Sequence, residues 1–439
     1  MKLVIIGGAG FRVPQVVAAV AESGPVDEVV LVDVDADRLA TILAVVRQLP
    51  AGEGVRVSGS TDLRGALAGA AFVFCAIRVG GTAARIADER VALELGVLGQ
   101  ETTGPGGLAY AWRTIPVMRG IAEAVRELAP QAWFINFTNP AGIITEALRP
   151  ILGDRVIGIC DTPIGLMRRA AAAVGASGDA GLRYDYVGLN HLGWLRSLEV
   201  DGQDRLPGLI ASPGLEGIEE ARLIGLDWVR RIGALPNEYL FYYYCNREAV
   251  ARIRSAPATR GEFLAGQQDA FYLDAGRDPG HALELWRSAK AEREQTYMAE
   301  ARSAEEEREA EDAEGGYQAV ALSLMNALSG GRPTAAIVNV ANGSSVAGLP
   351  AEAVIEVPCD VDANGVRPRP VAPLEGHMLG LVQSVKAVEQ LAIRAAVEHS
   401  AGLAWEALAT HPLVDSVDVA RRLLDGYRRR IPEVAAVLS

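Results

Sequence analysis

A strand, a glycine turn, a helix and a second strand closed by an acid fill the first 33 residues, and few architectures accept that order. The chain opens KLVIIGGAGFRVPQVVAAVAESG and continues DEVVLVDVDADRL. Lys2–Ile6 reads as an apolar strand, residues 16–21 as the start of a helix and residues 29–32 as the next strand. Gly7, Gly8 and Gly10 let backbone N–H groups approach a pyrophosphate at a helix N-terminus, with Phe11 and Arg12 beside it. Asp33 lies 23 residues after Gly10, close to the spacing at which an acid takes a ribose hydroxyl. The third glycine of G-x-G-x-x-G is missing, because Phe11, Arg12 and Val13 follow Gly10. An acid at the end of the second strand disfavours a 2′-phosphate and so favours NAD, a preference that nearby Arg38 moderates. The bland alternative is a glycine-rich turn in an α/β protein without a nucleotide.

Length and charge narrow the class. At 439 residues two domains are expected, divided here as 1–190 and 191–439. A net charge of −13 lacks the basic footprint that duplex nucleic acid needs. MKLVIIGG is too short for a signal h-region, and no run of 18 apolar residues suggests a membrane span. Cys75, Cys160, Cys245 and Cys359 are scattered, which is no disulfide framework and fits a reduced cytoplasm.

Strands and helices alternate through the first 190 residues. Residues 71–77 (AFVFCAI), 132–137 (AWFINF) and 156–159 (VIGI) read as buried parallel strands, each followed by a polar or glycine-containing turn. Arg78, Thr138, Asn139 and Cys160 therefore fall at carboxyl ends of strands, where ligands bind in open α/β sheets. Cys160 and His191 stand about 30 residues apart in a chain with 5 His and 4 Cys. Together they suggest half of an open metal site, its other positions left for water or substrate. The bland alternative is a buried cysteine and a satisfied polar histidine. Beyond residue 195 helical stretches dominate, and the charged run 290–314 reads as a solvated helix.

Five segments then carry a family resemblance: VIIGGAG, AIRVGGTAARIADERVALELGVLGQETTGPGGLAYAWRTIP, INFTNPAGIITEA, GICDTPIG and GLNHLGW. In order over roughly residues 1–200, they resemble the NAD-dependent glycosidases of glycoside hydrolase family 4, most closely its 6-phospho-β-glucosidase branch. PNEYLFYYY (236–244) and VNVANGSSVAGLP (338–350) extend the likeness more weakly. The resemblance implies an N-terminal Rossmann-type doubly wound sheet and an α+β C-terminal domain of lactate/malate-dehydrogenase type. It implies a cytoplasmic homodimer or homotetramer acting on a small glycoside. A hydride leaves C3 of the sugar for NAD, the C2 proton becomes acidic and is removed, and the aglycone departs. Water then adds and the hydride returns, the known exception to paired-carboxylate hydrolysis. A divalent metal, usually manganese, would sit on Cys160 and His191 and polarise the 2- and 3-oxygens.

The resemblance also assigns roles and exposes departures. The base is a tyrosine, here Tyr239, with Tyr242 second; a phenol near pKa 10 needs a cation close by. Asp161 stands where β-acting members carry Asn and α-acting members Asp, which leaves its role between leaving-group acid and substrate contact. Asn139 resembles a residue that spans sugar and nicotinamide. One of Arg78 and Arg85 faces substrate while the other holds Glu101 or Asp88. The phospho-glucosidases carry a K-R-G-G-x-x-Y-S-like stretch; here Ala313-Glu314-Gly315-Gly316-Tyr317-Gln318 replaces it, and Glu314 would repel a phosphate. Arg260 is the remaining candidate clamp. An unphosphorylated or 6-sulfonated glycoside stays open, as does a plain 2-hydroxy-acid-type dehydrogenase, which would accumulate NADH.

Overall fold

The computed structural model describes the whole chain except residues 50–53, 177–181 and 297–315. Among the described residues, one sheet runs through the molecule. Its first part is parallel and is built from β1 (Lys2–Ile6), β2 (Glu28–Val32), β3 (Arg56–Ser60), β4 (Ala70–Cys75), β5 (Trp133–Asn136) and β6 (Val156–Gly158). Their order is β3-β2-β1-β4-β5-β6, the doubly wound arrangement that places a crevice where the order reverses at β1. Side chains alternate: Leu3 and Ile5 enter one core with Val13, Val16, Val17 and Val20 of the helix Val13–Ser23. Val4 and Ile6 enter the other with Leu108, Trp112 and Ile115 of the helix Pro105–Leu128. Burial on both faces explains the near-continuous apolar runs of these strands.

The second half adds β7 (Arg183–Leu189), β8 (Leu192–Val200), β9 (Gln203–Asp204), β10 (Leu235–Pro236), β11 (Thr334–Ala341), β12 (Val354–Asp362) and β13 (Gly365–Pro368). These pair antiparallel with one another, and β11 joins β6 through Asn339 and Gly158. The fold is thus α/β with a Rossmann-type parallel sheet followed by an α+β half. The division expected at 190/191 falls in the turn of the β7–β8 hairpin. No described helix is long and apolar enough to cross a membrane.

Element ends differ from expectation for local reasons. The first helix begins at Val13, three residues early, because Pro14 is pre-set for a first turn and has no N–H to lose. Residues 76–77 leave the ladder: the Ile77 N–H donates to Thr138 Oγ1 at 3.0 Å, and the Ile77 carbonyl accepts from the Tyr110 hydroxyl. Strand β6 ends at Gly158, so Cys160 lies two residues beyond it rather than on it.

His411 closes the helix Ala401–Thr410 and is buried. Its Nδ1 accepts the Leu413 N–H at 3.0 Å, so the neutral ring is required. Burial pushes its pKa down to about 4, against about 6.5 in an unfolded chain. The unfolded state binds more protons between these values, so this stabilisation is complete above pH 6.5 and is lost as pH falls towards 4. We expect it to remove about 2 kcal/mol between pH 7 and pH 5. Urea unfolding of the wild type and of His411→Gln at both pH values checks this; an equal pH loss in both proteins would contradict it.

Candidate functional site

A cleft of about 1980 Å³ lies at the carboxyl edge of the parallel strands, lined by Gly7, Gly10, Asp33, Arg78, Asn139, Cys160, His191, Tyr239 and Arg260 among others. The glycine turn is fixed by contact with backbone. The N–H groups of Gly7 and Gly8 both donate to the Val32 carbonyl, at 2.9 and 2.8 Å. Gly7 has φ +84°, and a Cβ there would stand 2.6 Å from the Ala76 carbonyl oxygen. A Cβ on Gly8 would meet the Val32 nitrogen at 2.6 Å. Asp33 locks the same turn, accepting N–H bonds from Ala9 at 3.0 Å and Asp35 at 3.1 Å. Arg38 lies over the Tyr272 ring and pairs with Asp35 and Asp269.

The far half of the chain holds the outer side of this turn. The Tyr272 hydroxyl donates to the Ala9 carbonyl, Trp286 Nε1 to that of Phe11 and the Tyr317 hydroxyl to that of Arg12, at 2.5, 2.8 and 2.7 Å. Phe11 itself packs edge-on against Phe271. Arg12 lies over Phe137 and Tyr317, with Nη1 3.9 Å from an Asp161 oxygen.

The metal-site candidates share the cleft. Cys160 Sγ is 3.4 Å from Thr162 Oγ1 and 3.9 Å from Asp161 Oδ1. Burial raises its thiol pKa, and the carboxylates of Glu356 and Asp161 raise it further. His191 sits in the β7–β8 turn at φ +63°, and burial pushes its imidazole down to about 3. It is therefore a neutral ring, the form that ligates metals. The Tyr239 ring stacks on it, centroids 3.7 Å apart with 4° between planes. Of the four tyrosines in the 239–244 segment, Tyr239 and Tyr242 line the cleft. Tyr243 stacks near His411, and Tyr244 accepts from Trp194 Nε1. Asn139 Oδ1 is buried at the cleft with no hydrogen-bond partner among the described residues.

Glu101 bridges both expected arginines, to Arg78 at 2.6 Å and Arg85 at 2.9 Å. Burial raises its pKa, but the two guanidiniums outweigh that and hold it at about 2. Arg85 also pairs with Glu89, whereas Asp88 is taken by Arg113. Arg78 and Arg85 are therefore alike in being committed to Glu101. Arg260 lines the cleft and donates to Thr296 Oγ1 and the Arg293 carbonyl.

Sequence reasoning missed part of the wall. Lys290 and Arg293, assigned to a solvated face, line the cleft. They follow buried Trp286 at spacings of four and three, the signal of a single helix face. Burial, with Arg12, Arg85 and Arg260 close by, pushes Arg293 down to about 9. Of the stretch 313–318, Ala313, Glu314 and Gly315 lie outside the described residues, as does most of the run 290–314.

A neutral imidazole, a thiol, a phenol and the glycine turn line one cleft together with several guanidiniums. The family 4 glycosyl hydrolase profile matches residues 2–176, and the family 4 glycosyl hydrolase C-terminal domain matches residues 186–414. The chain belongs to glycosyl hydrolase family 4. It is 31% identical to a probable 6-phospho-beta-glucosidase of Bacillus subtilis (strain 168), over 97% of this chain and 95% of that one. The 6-phospho-beta glucosidase of Thermotoga maritima, solved with manganese, NAD+ and glucose-6-phosphate, superposes with a TM-score of 0.82 at 28% identity, covering 99% of both chains. A 6-phospho-alpha-glucosidase from gut microorganisms, solved with NAD and Mn2+, gives 0.80 at 25% identity, covering 99% of this chain and 98% of that one.

The turn geometry makes one expectation concrete. Gly8→Ala should cost about 2–3 kcal/mol, because its Cβ meets backbone that cannot move away. Gly10→Ala, whose nearest neighbour would be the Gly7 oxygen at 3.0 Å, should cost less. Chemical denaturation of the two variants measures the difference; equal losses would refute the steric account.

Proposed function

We propose that this chain hydrolyses a 6-phosphorylated β-glucoside by transient oxidation at C3, removal of the C2 proton and elimination of the aglycone. The observation that carries the reading is the convergence of Cys160, His191 and the glycine turn on one cleft, with Tyr239 stacked on His191. The residues present fit both groups that the related structures hold. Only glycine fits at positions 7 and 8, where the turn packs against the backbone of Ala76 and Val32, and this keeps Gly7 and Gly10 low at the cleft edge where such folds take a dinucleotide. Cys160 and His191 offer a sulfur and a neutral nitrogen, a donor set suited to a divalent transition metal. When bound, NAD accepts and returns a hydride, and Mn2+ acidifies the proton next to the transient ketone.

The chain's own side chains do the rest. Gly7, Gly10, Phe11 and Arg12, which line the cleft, bind the dinucleotide, with Asp33 and Arg38 at its ribose end; Gly8, expected among them, lies behind and holds the turn against β2. Tyr239 takes the C2 proton. Asp161, in the cleft beside Cys160, gives a proton to the leaving oxygen. Asn139 bridges sugar and nicotinamide, its unpartnered oxygen supporting that role. Arg78 and Arg85 face the sugar while held by Glu101. Arg260 and Arg293 receive the 6-phosphate, which would relieve the mutual repulsion of the guanidiniums around Arg293.

Incubation with an aryl β-glucoside 6-phosphate, NAD and Mn2+ should release aglycone without net NADH and place solvent deuterium at C2. Net NADH would favour a dehydrogenase; faster cleavage of the α-anomer, or of the plain or 6-sulfonated glucoside, would replace the substrate assignment. Cys160→Ser and His191→Ala should each abolish turnover while NAD still quenches fluorescence; full activity in either removes the metal ligand assigned. Arg260→Ala should lose about one to two orders of magnitude in kcat/KM on the 6-phosphate, the worth of a charge-assisted contact, and little on the plain glucoside. Equal losses would exclude Arg260 as clamp.

A further inference from the structure

We propose that Asn237 is a positioning residue that sets the base against the metal site. The inference rests on the roles given above to Tyr239, Cys160 and His191. Asn237 is fully buried behind the cleft and does not line it. Its Oδ1 accepts the Tyr239 N–H at 3.0 Å. Its Nδ2 donates to Thr162 Oγ1 at 2.8 Å and to the Tyr186 hydroxyl at 3.4 Å. Thr162 Oγ1 in turn lies 3.4 Å from Cys160 Sγ. The Thr162 hydroxyl accepts from Asn237 and has both a proton and a second lone pair left for the sulfur, so it links amide to sulfur whichever of the two donates.

The second branch reaches the other ligand. The Tyr186 hydroxyl donates to Glu356 Oε2 at 3.2 Å, and Glu356 Oε1 accepts Asn190 Nδ2 at 3.3 Å, one residue before His191. Asn237 is also tied to β8 through its N–H on the Gly193 carbonyl. One amide therefore touches the segments that carry the base and both ligands. Capping of the turn Glu238–Leu240 accounts for Oδ1 alone. The Nδ2 contacts, which span 75 and 51 residues, are not needed for a cap.

The two uses separate experimentally. Thr162→Val leaves the cap intact and removes the nearer of the amide's two acceptors, Thr162→Ser restores it, and Asn237→Asp keeps the cap but loses the donor. Small misplacements of a positioned group and loss of outer partners of metal ligands each cost about 10- to 100-fold. We expect Thr162→Val and Asn237→Asp to lower kcat by roughly that factor with KM little changed. The isotope effect from substrate deuterated at C2 should rise, and Thr162→Ser should behave as wild type. Mn2+ affinity, read by water-proton relaxation without turnover, should weaken in Thr162→Val and recover in Thr162→Ser, with NAD affinity constant in all. Wild-type kcat and Mn2+ affinity in Thr162→Val would overturn the proposal. So would losses matched by lower thermal stability in Thr162→Ser as well. Absence of C2 exchange in the wild type would instead refute the mechanism, leaving the Mn2+ comparison to judge the Asn237–Thr162 link.

Discussion

Strand β6 has to be paired on both sides for the cleft to exist. One side takes β5 in parallel, and the other takes β11 antiparallel at Gly158 and Asn339. The second contact depends on a missing side chain. A Cβ on Gly158 would stand 2.4 Å from Thr145 Oγ1 and 2.8 Å from the Asn339 Cβ. Any larger residue would push β11 away and leave β6 as an open edge of the parallel sheet. Cys160 would then emerge beside solvent rather than in the cleft that His191 also lines.

The seam also starts the polar network behind the site. Asn339 Nδ2 donates to Glu356 at 3.0 Å, and Glu356 accepts from Tyr186 and Asn190 as well. Burial raises this carboxyl to about 7 against the pull of its donors. Elsewhere around the cleft, charges come in tight sets: Asp88 with Arg113, fully buried, and Glu101 between Arg78 and Arg85 on the cleft wall. Ions so placed add little net stability but are costly to separate, and so they hold geometry. Rigidity at the base of the cleft comes from these sets, whereas the cation-rich wall of Arg260, Lys290 and Arg293 faces the open space.

The sequence disclosed features whose cause is local. Gly7, Gly8 and Asp33 were legible because a tight turn against backbone admits few residues and because strand, turn and acid are neighbours in the chain. Cys160 and His191 stood out because thiols and imidazoles are rare in this chain. Tyr239 could not be separated from Tyr242, Tyr243 and Tyr244 by spacing, since what distinguishes them is which wall each ring meets. The antiparallel seam was hidden for a related reason: β6 and β11 are some 180 residues apart, and neither carries a mark of the other. Lys290 and Arg293 were misread because a charged helix looks solvated until something else covers its face. Asn237 carried no mark in the sequence, because the partners of its side-chain amide lie in a distant strand and a distant helix.

The three aromatic donors on the glycine turn bear on how far this protein is modular. A fragment ending at residue 176 would retain every glycine and Asp33 yet lose Tyr272, Trp286 and Tyr317. The carbonyls of Ala9, Phe11 and Arg12 would then turn to water, and the turn would no longer be held from outside. On the role proposed for this turn, dinucleotide affinity is a property of both halves of the chain. Transplanting the N-terminal unit onto another partner would carry over the fingerprint without the grip, and changes remote in sequence, at helices beyond residue 270, could tune cofactor exchange without altering a residue of the motif.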